Sequence, residues 1–167
     1  MVHYLKGDAT RPQLDPDQNG LLIHICNTRG GWGKGFVVAV SKRWPQPEAA
    51  YRQWFQQKYW SGLPFALGQV QAIRVSSNLQ VVNMIAQEGY GKNNTALHQS
   101  TEPNSTPPIR YLALEDCLGK VANFARQLSA TVHAPRIGSG LAGGDWSKIE
   151  EILDRKLPDI PVYIYDL

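Results

Sequence analysis

Two glycine-rich segments carry the clearest chemical signal in the sequence. The first, at residues 27–35, reads Asn-Thr-Arg-Gly-Gly-Trp-Gly-Lys-Gly, and the second, at residues 138–146, reads Gly-Ser-Gly-Leu-Ala-Gly-Gly-Asp-Trp. Each follows an apolar run and precedes a stretch with helical spacing. Glycines let backbone N–H groups approach anionic oxygens closely, and a helix N-terminus adds partial positive charge behind them. The pair therefore predicts a phosphate-bearing ligand held between two loops.

The first segment departs from both common nucleotide-binding motifs. A triphosphate loop needs a glycine where Thr28 stands and a serine or threonine directly after Lys34. The dinucleotide fingerprint needs its third glycine where Phe36 stands. We therefore exclude these two sites and interpret Lys34 as a solvated side chain.

Length and composition indicate one globular domain over residues 1–167. The chain is 43% hydrophobic and 19% charged, which is ordinary for a folded protein. No apolar run approaches the roughly 20 residues of a membrane span, and the first residues lack a secretory signal. We expect a cytoplasmic protein without membrane contact, and we expect it to be a monomer.

Charge and the metal-binding residue types exclude further classes of partner. The formal net charge of +3 is too small and dispersed for a nucleic-acid surface, so nucleic acid is expected only as a modified substrate. Cys26 and Cys117 lie in apolar segments, which is typical of buried thiols. The histidines, at positions 3, 24, 98 and 133, lack the short spacing of a zinc site. We expect no metal and no cofactor.

Strand-like and helix-like segments alternate along the chain, which predicts an α/β fold. Strands are expected at residues 2–5, 21–26, 68–75, 79–85, 131–135 and 162–165, and helices at residues 36–43, 48–58, 109–128 and 146–157. The nearly unbroken apolar run at 21–26 is typical of a parallel strand covered on both faces. Residues 86–108 lack periodicity and are too long for an ordinary connection, so we expect either a functional loop or partial disorder there.

Three ordered motifs resemble those of the macro domain, the ADP-ribose-binding α/β module. Residues 6–10 resemble its opening motif, residues 23–27 with 30–35 resemble its first ligand loop, and residues 135–141 resemble its second. The resemblance covers nearly the whole chain and implies a three-layer α/β/α fold with a mixed central sheet. The small stand-alone branch, which includes the yeast ADP-ribose 1″-phosphate phosphatase and a terminal ADP-ribose glycohydrolase, is the most similar in its motifs.

The resemblance implies ADP-ribose in a crevice at the carboxyl ends of the strands. Asp8, next to Ala9, is similar to an aspartate that accepts a hydrogen bond from the adenine amino group, with an Asx turn as the alternative. Asn27 and Trp32 are similar to residues that place the distal ribose, although asparagine also suits a turn before glycines. The diphosphate contacts would fall on the two loops, with the helix at 146–157 pointing its N-terminus inward. The loop residues are Gly31, Gly33, Gly35, Gly138, Ser139, Gly140, Leu141, Ala142 and Gly143.

Asp145 and His24 are the candidate catalytic residues. Asp145 either activates a water near the distal ribose or caps the following helix. Ser147 and Glu150 offer a separate capping box, which would leave Asp145 free for chemistry, although capping by Asp145 remains the favoured interpretation. His24 is either a satisfied core histidine or a general acid or base at the edge of the pocket.

Two positions depart from the glycohydrolase pattern. That enzyme has a lysine just after the strand at 79–85 and an aspartate after the Gly-Leu of its second loop, whereas this chain has Gln87-Glu88 and Ala142. A lysyl covalent intermediate is therefore disfavoured. Tyr90 and Tyr165 are candidates for stacking on the ligand, with packing as the alternative.

The leading interpretation is a hydrolase of an ADP-ribose derivative, either ADP-ribose 1″-phosphate or an ADP-ribosyl group on a macromolecule. A module that binds ADP-ribose without turnover explains the same glycines and needs no catalytic residue. A binder of nucleic acid or of another nucleotide is the third alternative, and a steep salt dependence of RNA binding would distinguish it.

Overall fold

The protein is built around a mixed β-sheet, seen in a computed structural model that describes residues 2–89, 108–140 and 142–167. The strands are β1 (Val2–Lys6), β2 (Asn19–Asn27), β3 (Tyr59–Trp60), β4 (Leu63–Pro64), β5 (Val70–Arg74), β6 (Leu79–Gln87), β7 (Ala130–Ala134) and β8 (Val162–Asp166). The helices are α1 (Phe36–Arg43), α2 (Gln46–Gln57), α3 (Tyr111–Leu128) and α4 (Trp146–Lys156). The large sheet has the order β1-β8-β7-β2-β6-β5, and β3 pairs with β4 in a separate hairpin.

Helices cover both faces of the sheet because its central strands are apolar on both sides. In β2, Leu21 and Ile23 pack into one core with α3 and α4, whereas Leu22 and Cys26 pack into the other with α1 and α2. Successive side chains of a strand point to opposite faces, which explains this division. Neighbouring strands are parallel, except that β5 runs antiparallel to β6 at one edge. The predicted three-layer α/β/α fold with a mixed central sheet is confirmed.

The predicted elements form within two residues of their expected bounds, and the differences have local causes. α3 begins at Tyr111 because the preceding Ile109 makes an isolated antiparallel bridge with Gln87. α2 begins at Gln46, so Pro47 falls in the first turn, where its missing N–H needs no partner. The β3–β4 hairpin was not predicted, since strands of two residues are too short to show alternation.

Some predictions fall on residues outside the described part of the chain. Residues 90–107 and Leu141 are outside it, so Tyr90, Leu141 and most of the long loop predicted at 86–108 stay predictions. That residues 1–167 form a single domain also stays a prediction.

At the sheet edge, β1 pairs in parallel with β8, with Val2 opposite Val162. No helix of the described residues is long and apolar enough to cross a membrane.

Candidate functional site

A cavity of about 860 Å³ opens at the carboxyl ends of β2, β6 and β7. Its wall is formed by residues 24–27, 31–37 and 135–138, together with Gln87, Gly140 and Ala142. The volume is in the range of small-molecule sites. Both glycine-rich segments therefore meet in one cavity at the edge of the sheet where the sequence predicts the crevice.

Asn27 shapes the first glycine-rich loop. Its Oδ1 accepts hydrogen bonds from the backbone N–H groups of Arg29 (2.8 Å) and Gly31 (3.2 Å), and its Nδ2 donates to the Gly31 carbonyl (2.9 Å). Buried Tyr51 also donates from its hydroxyl to Asn27. The amide thus holds the turn, which is the alternative considered for this residue, and a contact to the distal ribose stays a prediction.

Trp32 fixes the same loop to the helical layer. The indole is 5% exposed, and its Nε1–H donates to Ser41 Oγ at 2.6 Å. Ser41 donates in turn to Glu48 Oε1 at 2.8 Å. The indole ring stands edge-on to the His24 ring, with 5.3 Å between centroids. Trp32 therefore lines the cavity, while its indole N–H already donates a hydrogen bond within the protein.

At two glycine positions, Gly33 and Gly140, the surrounding protein would accommodate a side chain. A Cβ added at Gly33 or at Gly140 would meet no atom of the described residues within 4 Å, and neither residue has a positive φ. Gly138 is different, because its φ is +75° and an added Cβ would lie 2.5 Å from Ile109 Cδ1. Each loop thus contributes one glycine whose missing side chain leaves room in the cavity.

The first turn of α1 is open to an anion. Its N-cap is Gly35, which makes no side-chain capping bond, and the first turn contains no acidic residue. The first N–H groups of a helix have no partner within the helix, and they carry partial positive charge. Because Gly35, Phe36 and Val37 all line the cavity, this charge lies in the cavity wall.

His24 lies in the cavity wall and is only 2% exposed. Its Nε2 is 2.6 Å from Asn83 Oδ1, and its Nδ1 has no hydrogen-bond partner among the described residues. Burial lowers the pKa of His24 to about 4, against a smaller opposing effect of the Asn83 hydrogen bond. The ring is therefore neutral near pH 7, and one of its two nitrogens is left without a partner.

The two predicted carboxylates are engaged away from the wall. Asp8 Oδ1 accepts from the Thr10 backbone N–H (2.8 Å) and hydroxyl (2.7 Å), and the hydroxyl bond is the main reason why the pKa of Asp8 is lowered. Asp145 caps α4, accepting from the backbone N–H (3.0 Å) and hydroxyl (2.8 Å) of Ser147. The hydroxyl bond is likewise the main cause of the lowered pKa of Asp145. The separate capping box at Ser147 was wrong, because α4 begins at Trp146 and Asp145 is its N-cap.

The cavity gathers only part of the predicted site. The predicted residues in the wall are His24, Asn27, Gly31, Trp32, Gly33, Gly35, Gly138, Gly140 and Ala142. The predicted residues that do not line it are Asp8, Ala9, Ser139, Gly143 and Asp145, while Leu141 lies outside the described residues. No α4 residue lines the cavity either, so the expected support from that helix N-terminus stays a prediction.

Sequence reasoning did not assign several residues of the wall to the site. They are Ile25, Cys26, Lys34, Phe36, Val37, Gln87, Pro135, Arg136 and Ile137. Their common signal was available, since most of them stand at the carboxyl ends of parallel strands or beside the glycines. Arg136 is already paired with Asp166 at 2.8 and 3.0 Å, and burial raises the pKa of the Cys26 thiol.

The described part of the wall contains no Asp or Glu side chain. Within residues 2–89, 108–140 and 142–167, no group of three or more His, Cys, Asp or Glu side chains has the arrangement of a metal site. That the protein needs no metal stays a prediction. Among the described wall residues, His24 is the side chain with a neutral nitrogen base.

Sequence comparison finds relatives of known name, although no family model matches the chain. The chain is 28% identical over 160 residues to the chromodomain-helicase-DNA-binding protein 1-like of Danio rerio, and the match covers 93% of this chain but only 14% of that protein. It is 25% identical over 157 residues to the ADP-ribose 1″-phosphate phosphatase of Candida albicans, with 92% of both chains covered.

Structural comparison decides the relationship. The macrodomain protein of Streptomyces coelicolor matches with a TM-score of 0.80 and 43% sequence identity, over 100% of this chain and 99% of that one. Identity at this level over the whole length indicates common descent as well as a common architecture. The resemblance inferred from the three motifs is therefore confirmed, and the chain belongs to the macrodomain family.

Proposed function

We propose that the cavity binds ADP-ribose and that the protein hydrolyses a derivative of it, either ADP-ribose 1″-phosphate or an ADP-ribosyl group on a macromolecule. The observation that carries the proposal is that Gly33 and Gly140 line the same cavity and leave space in it, although the backbone conformation of neither position requires glycine. Open glycines allow main-chain amides to reach a diphosphate. The relative from Candida albicans, named as an ADP-ribose 1″-phosphate phosphatase, supports this substrate class.

Charge in the cavity favours a ligand with phosphate groups. The uncapped first turn of α1 supplies N–H donors, and exposed Lys34 adds a formal positive charge beside it. No described Asp or Glu in the wall opposes an anion. We propose that the loop of Gly33 and Gly35 and the loop of Gly138 and Gly140 hold the diphosphate through their backbone amides.

His24 is the residue that we propose to act on the water. With a pKa of about 4, its imidazole is neutral near pH 7, and this role requires that ligand binding exposes the buried Nδ1, which would then accept a hydrogen bond from the water. For the phosphate monoester, the water oxygen forms a bond to phosphorus as the ester P–O bond breaks, and a proton passes from the water to the departing oxygen, which yields ADP-ribose and inorganic phosphate. Loop amides would stabilise the charge that develops on the phosphoryl oxygens.

A non-catalytic ADP-ribose-binding module is the second candidate. The observation in its favour is the lack of a carboxylate in the described wall, together with Gln87 and Ala142 at the positions where the glycohydrolase pattern has its lysine and aspartate. Release of phosphate from ADP-ribose 1″-phosphate, or of ADP-ribose from modified protein or nucleic acid, decides between the two. Binding without either release supports the module.

The binding proposal is tested by substituting the open glycines. Calorimetry should show that Gly33→Ala and Gly140→Ala each weaken ADP-ribose binding about tenfold, which corresponds to ~1.4 kcal/mol, while the midpoint of thermal unfolding stays within a few degrees of wild type. Gly119→Ala is the matched control, because Gly119 lies in α3 outside the cavity with room for a Cβ. Equal affinities of all four proteins would remove the proposal.

We also propose that the protein works as a monomer in the cytoplasm, with nucleic acid only as a modified substrate. Cys26 and Cys117 are both buried free thiols, which is consistent with a reducing compartment. Light scattering during size-exclusion chromatography tests the monomer, and a dimer mass would contradict it.

A further inference from the structure

The Arg136 side chain contacts three other elements of the fold. Its Nε and Nη2 donate to the two carboxylate oxygens of Asp166, at the end of β8, at 2.8 and 3.0 Å. Its guanidinium carbon lies 5.0 Å from the centroid of the Tyr4 ring in β1 and 5.3 Å from that of the Trp146 ring in α4. Arg136 lines the cavity, whereas Asp166, Tyr4 and Trp146 do not. Arg136 thus connects the cavity wall to three residues outside it.

The two rings are themselves fixed by hydrogen bonds. Trp146 Nε1–H donates to the Tyr4 hydroxyl at 2.9 Å, and that hydroxyl donates to the Glu150 carboxylate. The rings stand edge-on to each other with 6.5 Å between centroids, so the guanidinium lies in the angle between them. An isolated exposed ion pair restrains its side chains only weakly. A bidentate carboxylate combined with two aromatic rings restrains an arginine much more strongly.

Arg136 is also the first residue of the turn that begins the second glycine-rich loop. Its backbone carbonyl accepts from Ser139 Oγ at 2.9 Å and from the Ser139 backbone N–H at 3.5 Å. Residues 136–139 thus form a β-turn with Gly138 at the third position, where its φ is +75°. Because the restrained side chain and this carbonyl belong to the same residue, restraining the side chain also restrains the start of the turn.

The ion pair determines what Arg136 offers to an anion in the cavity. Its Nε–H and one Nη2–H are directed to Asp166, and this hydrogen bonding is the main cause of the lowered pKa of Asp166. The carboxylate is therefore ionised near pH 7 and offsets the positive charge of the guanidinium. An arginine that binds phosphate directly presents these paired donors to the phosphate oxygens. The geometry of Arg136 is instead that of an anchor within the protein.

We propose that Arg136 is a positioning residue, which Asp166, Tyr4 and Trp146 hold in place so that the turn at residues 136–139 is already arranged for the ligand. A loop that is arranged in advance binds more tightly, because less conformational entropy is lost on binding. That the ligand of this loop is the diphosphate of ADP-ribose rests on the proposed function.

The first test measures the order of the loop in the free protein. Nitrogen-15 relaxation should give the backbone amides of residues 138–140 order parameters of about 0.85 in wild type, and Asp166→Asn should lower them to about 0.6. Asp159→Asn is the matched control, because Asp159 pairs in the same way with Nε and Nη2 of Arg126, outside the cavity wall. Flexible amides in wild type, or equal order in wild type and Asp166→Asn, would overturn the proposal.

Calorimetry with ADP-ribose measures the consequence for binding. Asp166→Asn should weaken binding about three- to fivefold, because the loop must then be ordered by the ligand. Charge alone predicts the opposite, since this substitution removes a negative charge near an anionic ligand. Arg136→Lys keeps the positive charge but lacks the planar fork, so it should bind about as weakly as Asp166→Asn. Unchanged or tighter binding by Asp166→Asn, or wild-type affinity of Arg136→Lys, would contradict the positioning role.

This inference and the proposed function fail in different ways. If wild type binds ADP-ribose and Asp166→Asn binds equally well, the proposed function stands and the inference is overturned. If wild type does not bind ADP-ribose, the proposed function and the identity of the ligand are removed, and the order parameters of the free protein decide whether Arg136 fixes the turn. Thermal unfolding checks that each variant is folded, and the wild-type order parameters need no variant.

Discussion

At the scale of single residues, most polar side chains of the predicted site already form hydrogen bonds within the protein. Asn27 holds its own turn, Trp32 donates to Ser41, and Asp145 caps α4. A side chain that is engaged in this way stabilises the loop more than it contacts a ligand. Recognition in this cavity is therefore expected to depend chiefly on backbone amides.

Asp8 tests whether a side chain also selects the base. Thr10 uses only Oδ1 of Asp8, and Oδ2 lies 4.0 Å from Arg43 Nη2 with the side chain 41% exposed. If Oδ2 accepts from the adenine amino group, Asp8→Ala should weaken ADP-ribose binding about tenfold in calorimetry. Its free energy of unfolding should fall by about 1 kcal/mol, because the backbone N–H and the hydroxyl of Thr10 lose their acceptor.

The control for Asp8 uses the ligand and its neighbour. An ADP-ribose analogue with hypoxanthine in place of adenine lacks the amino donor, so wild type should discriminate against it and Asp8→Ala should not. Thr10→Val removes the hydroxyl donor but keeps the carboxylate and the backbone N–H that donates to it, so this variant should still discriminate. Equal affinity of wild type for both ligands would contradict the role in base selection.

At the scale of elements, the spacing of apolar residues predicted which residues of a helix are buried against the sheet. The helix expected at 109–128 appears as α3, with Leu114, Leu118 and Val121 buried against the sheet. The sequence could not predict the β3–β4 hairpin, because pairing of two-residue strands depends on where the chain turns and not on an alternating pattern. The element order was therefore readable from the sequence, apart from this hairpin.

The sequence predicted the glycines of the site better than its polar side chains. Gly33 and Gly140 were assigned from their loops, and both line the cavity. Asp8 and Asp145 do not line it, because each forms a short-range hydrogen bond with the residue two positions later. The contact between His24 and Asn83 was not predicted, since it depends on the register of β2 with β6.

Asp145 separates a capping role from a chemical one. Asp145→Ala should lower the free energy of unfolding, because the first turn of α4 loses its side-chain acceptor. Asp145→Ser retains a good capping residue, so its stability in urea titrations should remain near that of wild type. If hydrolysis in Asp145→Ser also matches wild type, the carboxylate acts only as a cap; a large loss of rate in this stable variant would restore its catalytic role.

At the scale of the whole molecule, two buried histidines tie stability to pH. Burial lowers the pKa of both His24 and His133 to about 4 from a reference of 6.5. His133 has contacts at 2.7 Å to Thr131 Oγ1 and 2.8 Å to the Tyr165 hydroxyl. Between these pKa values the unfolded chain binds protons that the folded protein does not, so the free energy of unfolding must fall as the pH falls.

The pH window follows from the two values. The contribution of these two histidines to the free energy of unfolding should be constant above about pH 6.5. It should decrease towards pH 4, by up to about 3 kcal/mol for His24 alone. Urea unfolding at several pH values measures it. His24→Gln should show a shallower decrease than wild type over the same window. An unchanged free energy between pH 7 and pH 5 would contradict the burial of neutral imidazoles.

The parallel pairing of β1 with β8 determines where a fusion partner or affinity tag would lie relative to the cavity. Parallel strands start at one end of a sheet and finish at the other, so Val2 and Asp166 lie at opposite ends. A fusion partner or affinity tag attached after Leu167 leaves beside the Arg136–Asp166 ion pair, next to the mouth of the cavity. One attached before Val2 begins about 13 Å from that ion pair along the strands, at ~3.3 Å per residue, at the opposite end of the sheet.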